Sequence, residues 1–173
     1  AGFLLASQGD IDVAVLLAVL AGTSFVIACG CVINNYLDRE IDAKMDRTKK
    51  RALVTGEISV HNAFIYAVML GLLGFVILTA WVNVLTALVG LVGLFSYVVI
   101  YGVGKRKTVH GTLIGTIAGS TPPVAGYTAV TNQLDAGALL LFLILVTWQM
   151  AHFYSIALFR LKDYKAAGLP VLP

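Results

Sequence analysis

Long apolar runs separated by short polar stretches make up most of the chain. Each run approaches or exceeds the roughly 20 residues that an α-helix needs to cross a bilayer. After a short apolar end at 1–9, the pattern predicts helices over 13–32, 61–81, 84–101, 109–130 and 134–158. The predicted fold class is therefore all-α, a polytopic transmembrane helix bundle.

Polar and conformationally special residues mark the ends of these runs. Gly56 and Ser59 predict a turn before the second long helix, and Asn83 separates the second helix from the third. The segment 102–108, with the sequence GVGKRKT, predicts a basic loop after the third helix. Short connections of this kind place neighbouring helices antiparallel in a bundle.

The fourth long run differs from the others because it carries spaced glycines and two prolines. Gly111, Gly115 and Gly119 recur every four residues, so they predict a face where a neighbouring helix packs closely. Pro122 and Pro123 lack a backbone donor and predict a kink or break in the helix. Freed carbonyls inside a membrane are tolerated only against protein or a cavity, so a cavity is expected beside these prolines.

Composition and charge indicate how the bundle is oriented. The chain is 59% hydrophobic and 12% charged, which excludes an ordinary soluble domain. If the helices alternate in direction, all 12 Lys and Arg residues fall on one side, opposite Asp10, Asp12 and Asp135. Cytoplasmic loops collect Lys and Arg, so this side is predicted to be cytoplasmic. The net charge of +3 reflects that bias, and no nucleic-acid partner is predicted.

The most polar stretch, 34–51, follows the first long helix with the sequence NNYLDREIDAKMDRTKKR. Asn34, Asp38, Asp42 and Asp46 recur every four residues and would lie along one face of a helix. Carboxylates one turn apart repel each other, so a cation is expected among them. Oxygen ligands suit Mg²⁺, which shares phosphate oxygens of its substrate. The alternative is a solvated helix end without a ligand.

Basic residues accompany this ladder of oxygen ligands. Four of them follow it directly and would neutralise the other side of a diphosphate, namely Arg47, Lys49, Lys50 and Arg51. A second polar patch near the end of the last run reaches the same side and contains Gln149, His152, Tyr154, Ser155, Arg160, Lys162, Asp163 and Lys165. In this patch the carboxylate would add a cation ligand and the basic residues would hold phosphate, with membrane anchoring as the alternative.

Three long strings carry a resemblance to a known family: NNYLDREIDAKMDRTKKRAL, VHGTLIGTIAGSTPPVAGY and WQMAHFYSIALFRLKDYKAAGLPVLP. The pattern Asn34-x-x-x-Asp38-x-x-x-Asp42 resembles the first aspartate-rich motif of the UbiA superfamily of intramembrane prenyltransferases. The resemblance covers nearly the whole chain and is closest to the branch that acts on haem b. It implies a single domain over 1–173, truncated at both ends relative to a nine-helix bundle.

The resemblance also implies a reaction and its participants. The farnesyl group of farnesyl diphosphate would be joined to a vinyl group of haem b, with water added, to give haem o. Mg²⁺ is the implied cofactor, and haem b is a substrate. The implied partners are farnesyl diphosphate, haem b, the lipid bilayer and the respiratory oxidase assembly machinery. The implied location is the bacterial or mitochondrial inner membrane, with the site toward the cytoplasm or matrix.

Roles for individual residues follow from the same resemblance. Catalysis is expected of Asp38, Asp42, Arg47 and Lys50, and metal binding of Asp38, Asp42, Asp46 and Asp163. Substrate binding is expected of Asn34, Asn35, Arg39, Lys105, Arg106, His110, His152, Arg160 and Lys162. The two histidines would meet haem iron or propionates. Asn35 and Ala167 stand where many family members have Asp, which leaves open whether one or two Mg²⁺ ions bind.

Other functions are consistent with parts of this pattern. A prenyltransferase of the same family could act on a quinone precursor or another aromatic acceptor. A transporter or channel would place ionisable groups along a path through the membrane, whereas the polar residues here cluster at one end. An oxidase assembly factor without catalysis would leave the carboxylate ladder unexplained.

Overall fold

A computed structural model describes residues 1–170, and these residues form helices joined by short turns. The helices are α1 (Gly2–Ser7), α2 (Val13–Leu37), α3 (Arg39–Asp42), α4 (Ala52–Thr55), α5 (Val60–Trp81), α6 (Val84–Phe95), a π segment (Ser96–Tyr101), α7 (Gly102–Lys107), α8 (Gly111–Thr131), α9 (Ala136–Phe159) and α10 (Leu161–Ala166). Residues 1–170 contain no strand, so the prediction of an all-α fold is confirmed.

Side-chain caps determine where four of the long helices begin. Asp12, Ser59, Asn83 and Asp135 each accept a hydrogen bond from the backbone N–H three residues further on. Each cap satisfies an amide group that a helix start leaves unpaired, and stabilises the helix by about 1 kcal/mol. The turn predicted at Ser59 and the division predicted at Asn83 are therefore confirmed.

Four helical stretches are long and apolar enough to cross a membrane, namely Val13–Leu37, Val60–Trp81, Val84–Lys107 and Ala136–Phe159. Their outward faces carry large apolar side chains. On α5, for example, Phe64, Met69 and Leu72 are 63–65% exposed. Such a surface is stable only against lipid or further protein, so the chain is an integral membrane protein.

The third of these stretches is one rod built from α6, the π segment and α7. The predicted basic loop at 102–108 is wrong, because the rod continues as a helix through Lys107. Glycine there permits close packing and does not end the helix. A methyl group on Gly104 would lie 2.7 Å from Ile114 Cδ1 of α8. The rod consequently carries Lys105 into the interior, where it is only 8% exposed.

Helix α8 is central, since it packs against α1, α2, α6, α7, α9 and the π segment. It continues through Pro122 and Pro123, so the predicted break is wrong. Pro122 cannot donate to the carbonyl of Ala118, but the Thr121 hydroxyl donates to that carbonyl at 2.8 Å. The cavity expected beside the prolines is confirmed, because Pro122 forms part of its wall.

Small residues bring the helices together at two places. On α8, Gly111 and Gly115 admit the backbone of Lys105 and the ring of Tyr101, and Gly119 admits α9, so the predicted close packing is confirmed. Between α2 and α5, a methyl group on Gly74 would lie 2.9 Å from the carbonyl oxygen of Gly22. This second contact was not predicted from the sequence.

Candidate functional site

The charged stretch after α2 does not continue as one regular helix. Helix α2 ends at Leu37, and the short helix α3 ends at Asp42. Asn34, Asp38 and Asp42 are nevertheless buried, with 9%, 8% and 2% of their surface exposed. The predicted ladder therefore holds for its first three members and fails beyond Asp42, where turns replace the helical repeat.

Asp38 lies at the centre of a buried ion cluster. Its Oδ2 accepts hydrogen bonds from the Lys105 ammonium group and, at 3.0 Å, from Asn34 Nδ2. Its Oδ1 accepts one from Arg106 Nη2 at 2.9 Å. Lys105 also donates to Asn34 Oδ1 at 2.7 Å. A buried ion pair of this kind is costly to break, by about 3–5 kcal/mol, because the remaining charge is left unpaired.

Asp42 has a different cation. Its Oδ2 accepts a hydrogen bond from Arg51 Nη1 at 2.6 Å, and the same nitrogen donates to Asn35 Oδ1 at 3.0 Å. The Thr48 hydroxyl donates to the Asp42 carbonyl at 3.0 Å, which folds the turn back over α3. Arg51 is therefore the member of the basic run that reaches the buried carboxylate.

Asp46 lies at the surface, and its side chain is 87% exposed. Its Oδ1 pairs with Lys49 Nζ at 2.6 Å. The hydrogen bond and charge of Lys49, together with the charge of Lys162, lower the pKa of Asp46 below its ordinary value. An exposed pair of this kind contributes little to stability.

The buried ion cluster forms one end of a cavity of about 860 Å³. Along α2, the wall is a single helical face made of Thr23, Val26, Ile27, Gly30, Cys31, Asn34 and Asp38. At about 1.5 Å per residue this face is roughly 22 Å long, with Asn34 and Asp38 at one end and Thr23 at the other. The other walls come from α3, α6, the π segment, α7, α8, α9 and α10, and they include Leu94, Tyr97, Pro122, Phe153 and Tyr164.

The structure brings some of the predicted site residues together at this cavity. Six of them line it, namely Asn34, Asp38, Asp42, Arg47, Lys105 and Arg160. Two more contact lining residues without lining the cavity themselves. Asn35 accepts a hydrogen bond from Arg51, and Arg106 donates one to Asp38. Within residues 1–170, the remaining ones lie outside the cavity lining, namely Arg39, Asp46, Lys50, His110, His152, Lys162 and Asp163.

Several of these outlying residues have other contacts. Arg39 lies over the ring of Tyr36, with its guanidinium carbon 4.7 Å from the ring centroid. His152 is exposed on α9 and stacks on Trp148 at a centroid distance of 5.1 Å. His110 is an exposed residue immediately before α8. Their predicted roles as substrate contacts stay predictions.

Tyr97 and Tyr101 line the cavity but were not among the predicted site residues, and Arg51, which also lines it, was predicted only as one of four basic residues beside a diphosphate. The rings of Tyr97 and Tyr101 stack 5.9 Å apart, and Lys105 Nζ lies 5.0 Å from the Tyr101 ring centroid. Tyr97, Tyr101 and Lys105 are spaced by four residues, and this spacing could have predicted from the sequence that they share a helical face. The wider turn of the π segment keeps residues at this spacing on one face.

The donor chemistry at the polar end of the cavity fits Mg²⁺. Asp38, Asp42 and Asn34 offer hard oxygen ligands, and Mg²⁺ is commonly held by one or two carboxylates together with substrate phosphates. The described residues contain no group of three or more His, Cys, Asp or Glu side chains able to hold an ion by themselves. The site therefore suits an ion that is shared with an anionic ligand.

These features define a class: an all-α, polytopic membrane protein with an oxygen-rich, charged site at one end of an apolar cavity. The model of the UbiA prenyltransferase family matches residues 1–173. The chain belongs to this family.

Curated relatives match the chain over nearly its whole length. It is 54% identical to the protoheme IX farnesyltransferase of Edwardsiella ictaluri (strain 93-146), over 99% of this chain and 58% of that protein. It is 53% identical to the protoheme IX farnesyltransferase of Yersinia pseudotuberculosis serotype O:1b (strain IP 31758), over 99% of this chain and 59% of that protein. The chain thus spans somewhat more than half the length of these relatives.

The fold is also similar to a solved structure, that of a UbiA homolog from Archaeoglobus fulgidus bound to GPP and Mg²⁺. The TM-score is 0.75 and the sequence identity 21%, over 99% of this chain and 61% of that chain. The prediction of a UbiA-like helical bundle is therefore confirmed.

Proposed function

We propose that this chain belongs to an enzyme that transfers the farnesyl group of farnesyl diphosphate to a vinyl group of haem b, in a Mg²⁺-dependent reaction that also adds water and gives haem o and diphosphate. Membership of the prenyltransferase family and the names of the similar proteins support the reaction class and the acceptor. The proposed domain comprises residues 1–173 within that enzyme.

The observation that carries the proposal is the junction between the buried ion cluster and the apolar cavity. A prenyl diphosphate has the same division, with an anionic head and a long apolar tail. Between Asn34 and Thr23 the α2 wall is about 16 Å long, which is comparable to three isoprene units in an extended chain. We therefore place the diphosphate beside Asp38 and Asp42 and the tail toward Thr23.

Lys105 and Arg51 have a specific part in this arrangement. Each now neutralises a buried carboxylate, Asp38 or Asp42 respectively. When a diphosphate binds with its cation, the carboxylates gain a new positive partner, so the two basic side chains are released to the phosphate oxygens. Charge-assisted hydrogen bonds from these residues would strengthen as the leaving oxygens become more negative.

Asp38 and Asp42, with Asn34, are the residues that would hold Mg²⁺. The bound ion would stabilise negative charge on the departing diphosphate, which is the chemistry expected of a Lewis acid. The protein contributes the other requirement, an apolar wall that keeps bulk water from the allylic carbon. Tyr97 and Tyr101 border this position, where their ring faces favour a neighbouring positive charge.

The basic residues of α9 and α10 are the proposed contacts for the acceptor. Arg160 lines the cavity, and Lys162 is close enough to the charged stretch to affect Asp46. Both are suited to the two propionates of haem b. His110 and His152 remain predicted contacts of the haem. The proposed association with respiratory oxidase assembly machinery rests on the sequence resemblance.

The proposed orientation places the polar end of the bundle in the cytoplasm, or in the matrix if the protein is mitochondrial. All 12 Lys and Arg residues lie in or beside segments at that end, which supports it through the bias of cytoplasmic loops toward positive charge. The inner membrane is the proposed location because haem and the oxidases that use haem o are expected there.

The proposal is tested with purified protein, haem b, farnesyl diphosphate and Mg²⁺, with haem o measured by chromatography and mass spectrometry. Asp38→Asn and Asp42→Asn are compared with Asp46→Asn, a matched carboxylate of the same repeat. We expect the first two to lower turnover by at least about 100-fold, because they remove charge where the leaving group is stabilised. Asp46→Asn should stay within about threefold of wild type.

Two results would contradict this assignment. Equal losses in all three variants would mean that Asp46 joins the metal site when ligands bind. Wild-type protein that prenylates a quinone precursor and gives no haem o would refute haem b as the acceptor. Thermal melting of each variant separates loss of chemistry from loss of fold.

A further inference from the structure

Gln149 is a buried polar side chain that the proposed chemistry has not used. It lies in the middle of α9, and only 8% of its surface is exposed. Its Oε1 is the buried side-chain oxygen that, within residues 1–170, has no hydrogen-bond partner. Leaving a buried amide oxygen unpaired costs about 1–3 kcal/mol, so a donor is expected at this position.

The surroundings of Gln149 indicate where that donor would lie. The amide packs against Gly119 of α8, where an added methyl group would be 2.9 Å from Gln149 Cδ. Gly119 itself lines the cavity. Gln149 also precedes Phe153 and Ala157 by one and two turns of α9, and both of those residues line the same cavity. The unpaired oxygen therefore lies beside the cavity wall.

The backbone of Gly119, on which the Gln149 amide packs, offers a second acceptor. In a regular helix the carbonyl of Gly119 would accept a hydrogen bond from the N–H of residue 123. That residue is Pro123, which has no N–H to donate. The unpaired Gln149 Oε1 thus packs against a residue whose own carbonyl lacks its usual helical donor. A group that supplies two donors would satisfy both.

We infer that Gln149 and the Gly119 carbonyl hold a water molecule in the wall of the cavity. Water has two donors, and buried waters usually have about three polar partners. The Nε2 group of Gln149 provides a donor on the same side chain. A prenyl tail cannot replace this water, since it has neither donor nor acceptor. Gly119 leaves room for the Gln149 amide, because an added methyl group would collide with that amide.

This water has a chemical use, an inference that rests on the proposed function. In that reaction, the bond between farnesyl C1 and the diphosphate oxygen breaks, and C1 bonds to the terminal carbon of the haem vinyl group. The inner vinyl carbon is then left electron-deficient. The oxygen of the bound water adds to it, and the water's proton passes to the released diphosphate. Gln149 is a positioning residue, since it orients the water and takes no proton.

The inference is tested with Gln149→Met, which keeps the length of the side chain and removes the acceptor. The readout is the partition between product with water added and product that has instead lost a proton, lighter by one water. We expect the fraction of the lighter product to rise by about tenfold, corresponding to the loss of one well-placed hydrogen bond of roughly 1.4 kcal/mol. Total diphosphate release should fall much less.

Two further variants make the comparison specific. Gln149→Glu keeps an acceptor oxygen and should restore much of the water-added product. Gln133→Met makes the same chemical change at an exposed position before α9 and should leave the partition unchanged. A partition that stays at the wild-type ratio in Gln149→Met would overturn the role in water addition.

A structural readout separates this inference from the proposed function. In an experimental structure of the wild-type protein at high resolution, a solvent peak should lie within hydrogen-bonding distance of Gln149 Oε1 and be absent in Gln149→Met. A protein donor on that oxygen, with no solvent peak, would overturn the water site. If the wild-type protein gives no prenylated haem yet shows the solvent peak, the proposed function fails and the water site stands.

Discussion

At the scale of single residues, the central feature is the matching of each buried carboxylate with its own cation. Lys105 and Arg106 serve Asp38, and Arg51 serves Asp42. Buried charges in such pairs are held in position before any ligand arrives, because separating them leaves an unpaired charge. The arrangement therefore keeps the ligands of an anionic head group near their working geometry, which lowers the cost of ordering them on binding.

Arg51 and its neighbour Lys50 give a direct test of this assignment. We expect Arg51→Gln to raise the KM for farnesyl diphosphate by about tenfold, because hydrogen bonds to charged groups contribute about 1.5–3 kcal/mol. Gln retains a donor for Asp42, so folding should be preserved. Lys50→Gln is the control, since Lys50 is exposed and outside the cavity lining of residues 1–170. Steady-state kinetics would contradict the assignment if both variants had the same KM.

The carboxylates and the basic run show how much of the site could be predicted at the scale of residues. The positions of Asp38 and Asp42 were predictable, because the chain keeps near-helical geometry from α2 through α3. A four-residue repeat places side chains on one face only in such geometry. From Ala43 to Arg51 the chain makes turns, which have no fixed period. A basic run in turns cannot reveal which member points inward, so Arg51 could not be distinguished from Lys50.

At the scale of helices, packing depends on where glycine allows backbones to meet. Gly22 and Gly74 place α2 against α5, with Val26 Cγ2 2.8 Å from where a side chain on Gly74 would begin. Since α2 carries one wall of the cavity, its position against α5 also fixes the width of the site. In a membrane, where lipid is as apolar as the helices, close packing of this kind is a main source of helix association.

Gly74→Ala is expected to destabilise the protein, because its methyl group would press on the Gly22 carbonyl and on Val26. Overpacking in a tight interface costs about 1–3 kcal/mol. Gly90→Ala is the matched control, since its methyl group would meet Leu78 Cδ1 at an ordinary 3.4 Å. Thermal unfolding in detergent should show a lower Tm for Gly74→Ala alone. Equal Tm values would show that α2 and α5 can separate at little cost.

Helices were more predictable than the connections between them. The long apolar runs predicted each main helix to within six residues at either end, because hydropathy determines what can lie in a bilayer. The prediction of a loop at 102–108 was wrong because glycine and charge usually indicate a loop. Here glycine lets α8 pack closely, and Lys105 is buried in an ion pair with Asp38. The prolines of α8 were also misleading, since Thr121 replaces a lost donor.

At the scale of the whole molecule, the cavity joins segments that are far apart in the sequence. Its walls come from α2, α3, α6, the π segment, α7, α8, α9 and α10. The sequence indicated a cavity near Pro122 and a polar site at 34–51 but not that Pro122 and the polar site border the same space. That relation depends on how the helices pack, and the periodicity of any single helix does not contain it.

The length of this space should determine which prenyl chain is used. Thr23 lies at the far end of the α2 wall, about four helical turns from Asp38. Thr23→Phe would fill that end while leaving the charged end unchanged. Since one methylene too many in an apolar pocket lowers kcat/KM by about 10–200-fold, the ratio of kcat/KM for farnesyl over geranyl diphosphate should fall by at least about tenfold.

Thr147→Phe is the control for this experiment, because Thr147 lies on the exposed face of α9 and should leave the ratio unchanged. If Thr23→Phe lowers kcat/KM for both diphosphates by the same factor, the far end does not hold the tail, and the variant acts on the fold instead. A loss of kcat/KM for the longer substrate alone cannot be explained by damage to the fold, because a general disturbance of α2 would affect both diphosphates alike. That selectivity would establish that the buried charges and the apolar wall bind opposite ends of one substrate.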